Sequence, residues 1–375
     1  MNKTVKYVIW VVVILVAVWA IYTLSNRQGG GPATGEPIRI GFIGPLTGEG
    51  ASIGTINKVG AEVAVDEINK AGGINGKPLE IIYEDGQCNA IKANTAAQKL
   101  IEVDKVPLII GGLCSTETSA FAPGAMEKKV IVFSWGSSAP TLSKLGKYFF
   151  RDFPSDIYQG KFSAEYIFNN LKAKKVAILY HNTDMGLGQK EAFEKRFKEL
   201  GGEILGTESA VQAAKDYRTQ LAKIKNLNPD VIFSPMYPDG AIVALKQASE
   251  LGIKTTFFGG DAWGDTKLHK EVSGKGNFLF SEPSTPIVAD FKTKILAITK
   301  GEQVPPFTSQ IYDAVKIAAA ALAKAGIDPD KLQEELRKTN YNGVSGQISF
   351  DENGDLKNAN YVVKKIENGT AVEIK

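Results

Sequence analysis

Histidine and cysteine are scarce in this chain: 375 residues contain only His181, His269, Cys88 and Cys114. No C-x-x-C or H-E-x-x-H spacing occurs and the two histidines lie far apart, which excludes the usual zinc frameworks. Charge of one sign is lacking too. Lys+Arg number 44 against Asp+Glu 41, a net charge of +3, and Lys3 and Lys6 supply two of those charges, so the chain beyond residue 24 carries +1. Without a basic field to hold a phosphate backbone, nucleic acid is not an expected partner. There is no G-x-S-x-G elbow and no histidine placed to partner Ser115, so nucleophilic hydrolysis is not expected. Gly48-x-Gly50-x-x-x-Gly54 imitates a dinucleotide fingerprint. However, about ten residues, Pro45 among them, separate strand from helix, where that fingerprint needs a tight turn. The chain therefore reads as a non-enzyme with no metal and no cofactor. Its 43% hydrophobic and 23% charged residues exclude a disordered, collagen-like or coiled-coil chain, and the length allows two or three domains.

A long apolar run stands at the start. Lys3 and Lys6 precede uninterrupted apolar sequence from Tyr7 to about Leu24, long enough for a spanning helix and at the upper limit for a signal peptide. Val18-Trp19-Ala20 would be a weak cleavage site, with Trp at its centre and apolar Ile21-Tyr22 beyond. No cysteine follows the run, which excludes a lipid-modified terminus. The expectation is a transmembrane anchor at 1–24, oriented N-in by its lysines, and a Gly-rich flexible linker at 25–36; a buried globular helix is the alternative. The rest of the chain is then extracytoplasmic, in the periplasm or on the outer cell surface, and membrane-anchored. In that compartment Cys88 and Cys114, 25 residues between them, are a candidate disulfide pair; two buried thiols are the other reading.

The body alternates short apolar strands with amphipathic helices, twice. Strands are predicted at 38–43, 79–83, 106–110 and 130–134, with helices at 55–70, 90–103 and 117–128. The cadence restarts with strands at 175–180, 203–205, 230–234 and 255–258, and helices at 187–200, 216–226 and 241–251. Strands without polar alternation, separated by helices, indicate parallel sheets covered on both faces. The fold class is thus α/β, with two doubly wound lobes. Helices at 287–299, 309–325 and 329–339 have no strands between them and must pack on an earlier lobe. Strands are expected at 344–350 and 361–366, joined by a turn at 351–355. These assignments give a first lobe of 37–153 with 285–352 and a second of 154–284 with 353–375, an interlobe cleft between them.

Ligands of open parallel sheets bind beyond the carboxyl ends of the strands. In the first lobe those ends carry Gly44 to Gly54, Gly111-Gly112-Leu113-Cys114-Ser115-Thr116 and Ser134-Trp135-Gly136-Ser137-Ser138. Their hydroxyls and free N–H groups at helix starts suit an anion such as a carboxylate. The second lobe offers Met185, Pro235-Met236-Tyr237-Pro238 and Gly260-Asp261-Ala262-Trp263, an acid among apolar groups. An anion site facing an acid across an apolar gap is complementary to a zwitterion with an apolar side chain. Ser115 could equally be a plain helix N-cap.

The motifs Gly44-Pro45-Leu46-Thr47-Gly48, Asp66-Glu67-Ile68-Asn69-x-x-Gly72-Gly73-Ile74-x-Gly76 and Gly-x-x-Cys114-Ser115, with the Cys88 loop, carry a resemblance. From Ile38 onward the chain resembles the branched-chain amino-acid-binding proteins of ABC transporters. The resemblance implies a type I periplasmic-binding-protein fold, two lobes joined by three crossovers, and a Cys88–Cys114 disulfide. It implies that Ser115 takes a ligand carboxylate, that Ser138 contacts carboxylate and amine, and that Gly136 contributes backbone. It places Asp261 on the ammonium group and Tyr237 or Met236, Met185 and Ile53 on the side-chain walls. Thr116 adds a hydroxyl at the helix start, and Trp135, which has no family counterpart, is core or lid. Asp261 is shorter than the family's usual Glu, Met185 and Ile53 stand where aromatics are usual, and Trp135 replaces a smaller residue. The expected function is an ABC importer's receptor that binds an amino acid, branched-chain or related, and delivers it to a permease. A sensing module of the same fold, binding an amide or short-chain acid, is the alternative. Only six residues precede the apolar run, leaving no cytoplasmic output domain there, and this favours transport.

Overall fold

The computed structural model describes residues 33–374 apart from 287 and 302. The anchor expected at 1–24 and most of the linker lie outside the described residues. Among those described, no helix is long and apolar enough to cross a membrane.

The first sheet has five parallel strands in the order β2-β1-β3-β4-β5: β1 Ile38–Gly44, β2 Leu79–Asp85, β3 Leu108–Gly111, β4 Ile131–Ser134 and β5 Phe149–Arg151. Between them run α1 (Ala51–Lys70), α2 (Ala90–Gln98) and α3 (Ser115–Glu127). The second sheet repeats the plan, β7-β6-β8-β9-β10, with β6 Lys175–His181, β7 Glu203–Ala210, β8 Val231–Ser234, β9 Thr256–Gly259 and β10 Phe278–Pro283. Its helices are α4 (Asp156–Asn169), α5 (Asp184–Glu199), α6 (Arg218–Leu227), α7 (Pro238–Glu250) and α8 (Thr266–Val272). Every residue of β3, β4 and β8 is buried, as strands covered on both faces require.

Both sheets reverse strand order beside their first strand, between β1 and β3 and between β6 and β8. That reversal leaves a crevice at the strand ends. The following helix comes close to each of these ends. A Cβ on Gly54 of α1 would fall 2.0 Å from the Pro45 carbonyl oxygen, and one on Gly186 of α5 would fall 2.0 Å from that of His181. Any larger residue would push the helix off the strand end.

The chain then returns to the first sheet. Helices α9 (Ala289–Thr299), α10 (Thr308–Ala325) and α11 (Pro329–Arg337) place Phe291, Ile295, Ile311, Val315, Leu322, Leu332 and Leu336 in one core with Ile40, Phe42, Leu108 and Phe133. After the hairpin β11 (Asn340–Gly343) and β12 (Gly346–Ser349), strands β13 (Tyr361–Glu367) and β14 (Thr370–Ile374) join the second sheet antiparallel. The chain thus passes between the sheets three times, after β5, β10 and β12.

Three expectations change. The second sheet is mixed, because its last two strands arrive from a crossover and not from a strand–helix–strand unit. The strand expected at 344–350 is the second arm of a hairpin, turned at Val344 and Ser345, whose N–H groups donate to the Asp313 carboxylate at 3.1 and 2.7 Å. Strand β5, three residues long, had no readable pattern.

Arg151 locks two crossovers together. Fully buried, it donates from Nε to Asp355 Oδ1 (2.7 Å) and from Nη1 to the Ala139 carbonyl (3.0 Å), while its backbone N–H meets the Gly354 carbonyl at 2.9 Å. Removing one member of a buried ion pair leaves the other charge uncompensated, at roughly 3–5 kcal/mol. Asp355→Ala is therefore expected to destabilise the protein by about 3 kcal/mol in urea unfolding, and a loss below about 1 kcal/mol contradicts this assignment.

Candidate ligand-binding site

The connections at the carboxyl ends of both sheets meet around a narrow, nearly closed cleft with about 30 Å³ of free room, space for a water or two. From the first lobe it is lined by Gly50, Ile53, Leu113, Cys114, Ser115, Gly136 and Ser138, and from the second by Met185, Tyr237, Pro238, Asp261 and Ala262, with Phe307 at the start of α10. The structure thus brings together Ile53, Ser115, Gly136, Ser138, Met185, Tyr237 and Asp261. It leaves Thr116 and Trp135 outside the wall. Trp135 is fully buried, stacks on Phe42 with ring centroids 5.0 Å apart, and donates from Nε1 to Asn57 Oδ1 at 3.2 Å. It is core, because β4 delivers it beneath the sheet end.

The first-lobe wall offers donors. Cys114 holds the N-cap position of α3 and Ser115 is the first helical residue, so Ser115 is not a plain cap. Its Oγ accepts the N–H groups of Ser138 and Ala139, both at 3.1 Å. With both lone pairs engaged, the hydroxyl keeps only its proton to give. Beneath it, Ser134 and Ser137 donate to the Gly112 carbonyl at 2.8 and 3.0 Å, and the Gly112 N–H donates to Thr118 Oγ1 at 2.8 Å. A Cβ on Gly136 would fall 2.5 Å from Leu113 Cδ1, so a larger residue there would have to displace the Leu113 side chain from the cleft wall.

The Cys88–Cys114 disulfide, Cα–Cα 5.4 Å, staples the loop after β2 to the loop after β3. Fully buried Glu117 reinforces the staple by accepting the N–H groups of Cys88 and Cys114, each at 3.1 Å. Burial outweighs those hydrogen bonds and pushes its carboxyl up to about 7. The sulfurs and Glu117 lie close enough together to suggest a metal site, but both sulfurs are committed to each other and offer no thiolate.

The second-lobe wall offers acceptors. Asp261, 5% exposed, takes the Ala262 N–H on Oδ1 at 2.8 Å and Gln189 Nε2 at 3.5 Å. Burial pushes its carboxyl up to about 7. Gln189 Nε2 also donates to Asp156 Oδ1 at 3.0 Å and to Gln159 Oε1 at 2.8 Å. Asp156 Oδ2, Gln189 Oε1 and the Tyr237 hydroxyl are buried with no partner among the described residues. Burial, with Asp261 nearby, holds the Asp156 carboxyl well above the usual carboxylate range. His181 accepts the Tyr237 N–H on Nδ1 (3.1 Å) and donates from Nε2 to the Tyr217 hydroxyl (2.9 Å). Burial lowers it to about 3, so it stays neutral and fixes Tyr237.

Sequence reasoning missed Asp156, Gln189, Glu117 and His181 behind the wall and Phe307 upon it. A Ser-Asp helix start at 155–156 reads as an ordinary cap, and Phe307 reaches the cleft from a crossover far along the chain.

The profile described as periplasmic binding protein matches residues 37–370. The chain belongs to the periplasmic binding protein family. Its two doubly wound lobes and three crossovers are the type I form of that fold. This periplasmic binding protein is 28% identical over 347 residues, 91% of its length and 93% of the relative's, to a leucine-, isoleucine-, valine-, threonine- and alanine-binding protein of Pseudomonas aeruginosa. Among solved structures, a leucine binding protein from Thermotoga maritima superposes with a TM-score of 0.84 at 28% identity, covering 90% of this chain and 98% of that one. A branched-chain amino acid transporter substrate binding protein from Streptococcus pneumoniae, in complex with isoleucine, gives 0.81 at 28% identity, covering 90% and 100%. Members of the family are receptors for small solutes and not enzymes.

Since the staple closes a loop of 26 residues within the first lobe, the chain-entropy contribution is about 3 kcal/mol. Unreduced protein should show no titratable thiol, and Cys88→Ser with Cys114→Ser should lower unfolding stability by about that amount. Thiol counting and chemical denaturation check both.

Proposed function

We propose that this protein is the extracytoplasmic receptor of an ABC importer, binding an amino acid with a compact apolar side chain in the interlobe cleft and passing it to a permease. The observation that carries this reading is the sorting of polar groups across the cleft. Ser115 has only a proton left to give on one wall, and on the other Asp261, with the unpartnered Gln189 Oε1 and Asp156 Oδ2 nearby, gathers carboxyl and amide oxygens. A carboxylate fits the first and an ammonium group the second. Ser138 and the backbone at Gly136 complete the carboxylate side, and Thr116 stands one residue along the same helix. Ile53, Leu113, Met185, Tyr237 and Phe307 bound the side chain, with Trp135 supporting from the core. The relatives named for leucine, isoleucine and valine support the same class of ligand.

In this reading the lobes are 37–153 with 285–352 and 154–284 with 353–375, and they close about the three crossovers when a ligand bridges them. The apolar run at 1–24 tethers the receptor to the membrane.

Stripping one partner from a buried charge pair costs roughly 3–5 kcal/mol, and each ~1.4 kcal/mol is tenfold in affinity. By calorimetry, Asp261→Ala should weaken leucine binding at least ~100-fold, and Asp261→Asn should recover only part of that. Equal binding by Asp261→Ala and wild type would reject the zwitterion and favour an amide or acid ligand.

The pH dependence has a definite sign. The free carboxyl of Asp261 keeps its proton up to about 7, whereas an ammonium ligand needs the carboxylate. Leucine affinity should be flat above about pH 7 and fall by up to about tenfold per unit below it. The deaminated acid of the same skeleton, which makes no demand on Asp261, should lack this fall; a shared profile would remove Asp261 from the amine site.

A further inference from the structure

The connection from β1 to α1, together with the first turn of α1, lines the cleft and touches the opposite lobe. Ser52 Oγ donates to Asp265 Oδ2 at 2.6 Å, and the Gly50 N–H donates to Asp239 Oδ2 at 3.4 Å. Each of those carboxylates has its other oxygen engaged within its own lobe: Asp265 Oδ1 caps α8 through the Leu268 N–H at 2.9 Å, and Asp239 Oδ1 takes Lys267 Nζ at 2.8 Å. One oxygen of each remains turned to the incoming loop. Gly50 and Ile53 of the same loop line the cleft, so this contact forms only when the lobes are together. At its root, Asp85 accepts the Leu46 and Thr47 N–H groups at 2.9 and 3.2 Å and holds the loop to its own lobe.

One residue before Gly50 the loop inserts a third carboxylate. Glu49 is half-buried, and its Oε1 has no partner among the described residues; nor has the buried Nε2 of Gln212 across from it. The groups facing it from the second lobe are Asp239 on α7 and Gln212, Lys215 and Tyr217 on the connection from β7 to α6. Asp265 and Lys267 on α8 complete the charged surroundings, and Lys267 is engaged by Asp239. Burial first, then the Asp239 charge, push Glu49 up to about 7, against the opposing pull of Lys215 and Gln212. With the lobes parted, Glu49 would leave both burial and the Asp239 charge, the two causes that raise it.

We propose that loop 48–53 is a latch across the cleft mouth, and that protonation of Glu49 against Asp239 tightens it, so that an acidic exterior slows solute release. The proposal rests on the reading of the cleft as the solute site. The sign follows from linkage. A group that binds its proton more tightly in the closed form adds nothing to closure well above its closed-form value. Its contribution grows as pH falls from there toward the open-form value. A two-unit difference would be about 100-fold in the closing equilibrium, and partial exposure of Glu49 reduces this to roughly tenfold.

The test is leucine release by stopped flow from the whole chain at pH 8 and pH 5, comparing wild type with Glu49→Gln, a neutral isostere. Taking the ratio of the two proteins cancels the effect of Asp261, which both share. Glu49→Gln should release leucine roughly tenfold more slowly than wild type at pH 8 and at nearly the same rate at pH 5. Ser52→Ala should speed release by a similar factor at both pH values, since its bond does not titrate. Equal or faster release from Glu49→Gln at pH 8 would mean that attraction to Lys215 outweighs repulsion by Asp239, and would overturn the proposal. If wild type binds no leucine, the functional reading fails by itself. The latch is then judged by X-ray scattering of ligand-free protein at pH 8, where a smaller radius for Glu49→Gln supports it and an unchanged radius overturns it.

Discussion

Burial of carboxylates at the meeting of two lobes is the constraint on which the rest of this structure turns. Glu117, Asp156 and Asp261 are buried and Glu49 is half-buried around this junction, and an unpaired buried charge costs several kcal/mol. Each acid meets that cost differently. Glu117 is permanently served by the N–H groups of the two disulfide cysteines, so the donor wall is rigid whether or not a ligand is present. Asp261 and Asp156 share one amide donor, Gln189 Nε2, and keep acceptors to spare. That deficit is what the proposed ammonium group would remove, so in that reading the ligand completes the cleft. Glu49 has only Lys215 and Gln212 to set against burial and the Asp239 charge, and these do not keep it from rising to about 7.

The same economy of contacts explains why the wall is so thin in first-rank polar residues and so deep in support. Trp135 touches no ligand space, yet its indole N–H orients Asn57, whose Nδ2 donates to the Pro306 carbonyl at 2.8 Å and to Thr308 Oγ1 at 3.2 Å. Those two residues bracket Phe307, which sits in the left-handed region at φ 63°, a costly conformation for a bulky residue that the bracket and the Phe153 ring 4.9 Å away hold in place. On the other lobe neutral His181 does the equivalent for Tyr237. A side chain two contacts from the cleft thus fixes the shape of the space in which a ligand side chain would lie.

The amino-acid sequence by itself determined the local events. Apolar strands without alternation, glycine pairs after helices and repetition of the unit made two doubly wound sheets legible, and the crevice rule carried the argument to the loops that line the cleft. Ser115, Asp261, Tyr237 and Met185 were readable because each follows directly on a strand end. Tertiary structure decided what depends on distant segments meeting. The antiparallel strands β13 and β14 join a sheet finished some 80 residues earlier, a pairing no local pattern encodes. Trp135 could be core or lid by sequence, and only the assembled first lobe, with Phe42 stacked on its ring and Asn57 of α1 accepting its indole N–H, made it core. Asp156, Gln189 and Glu49 are ordinary polar residues along the chain. They acquire meaning because burial and a second lobe deprive them of water, and desolvation is a property of the assembled fold.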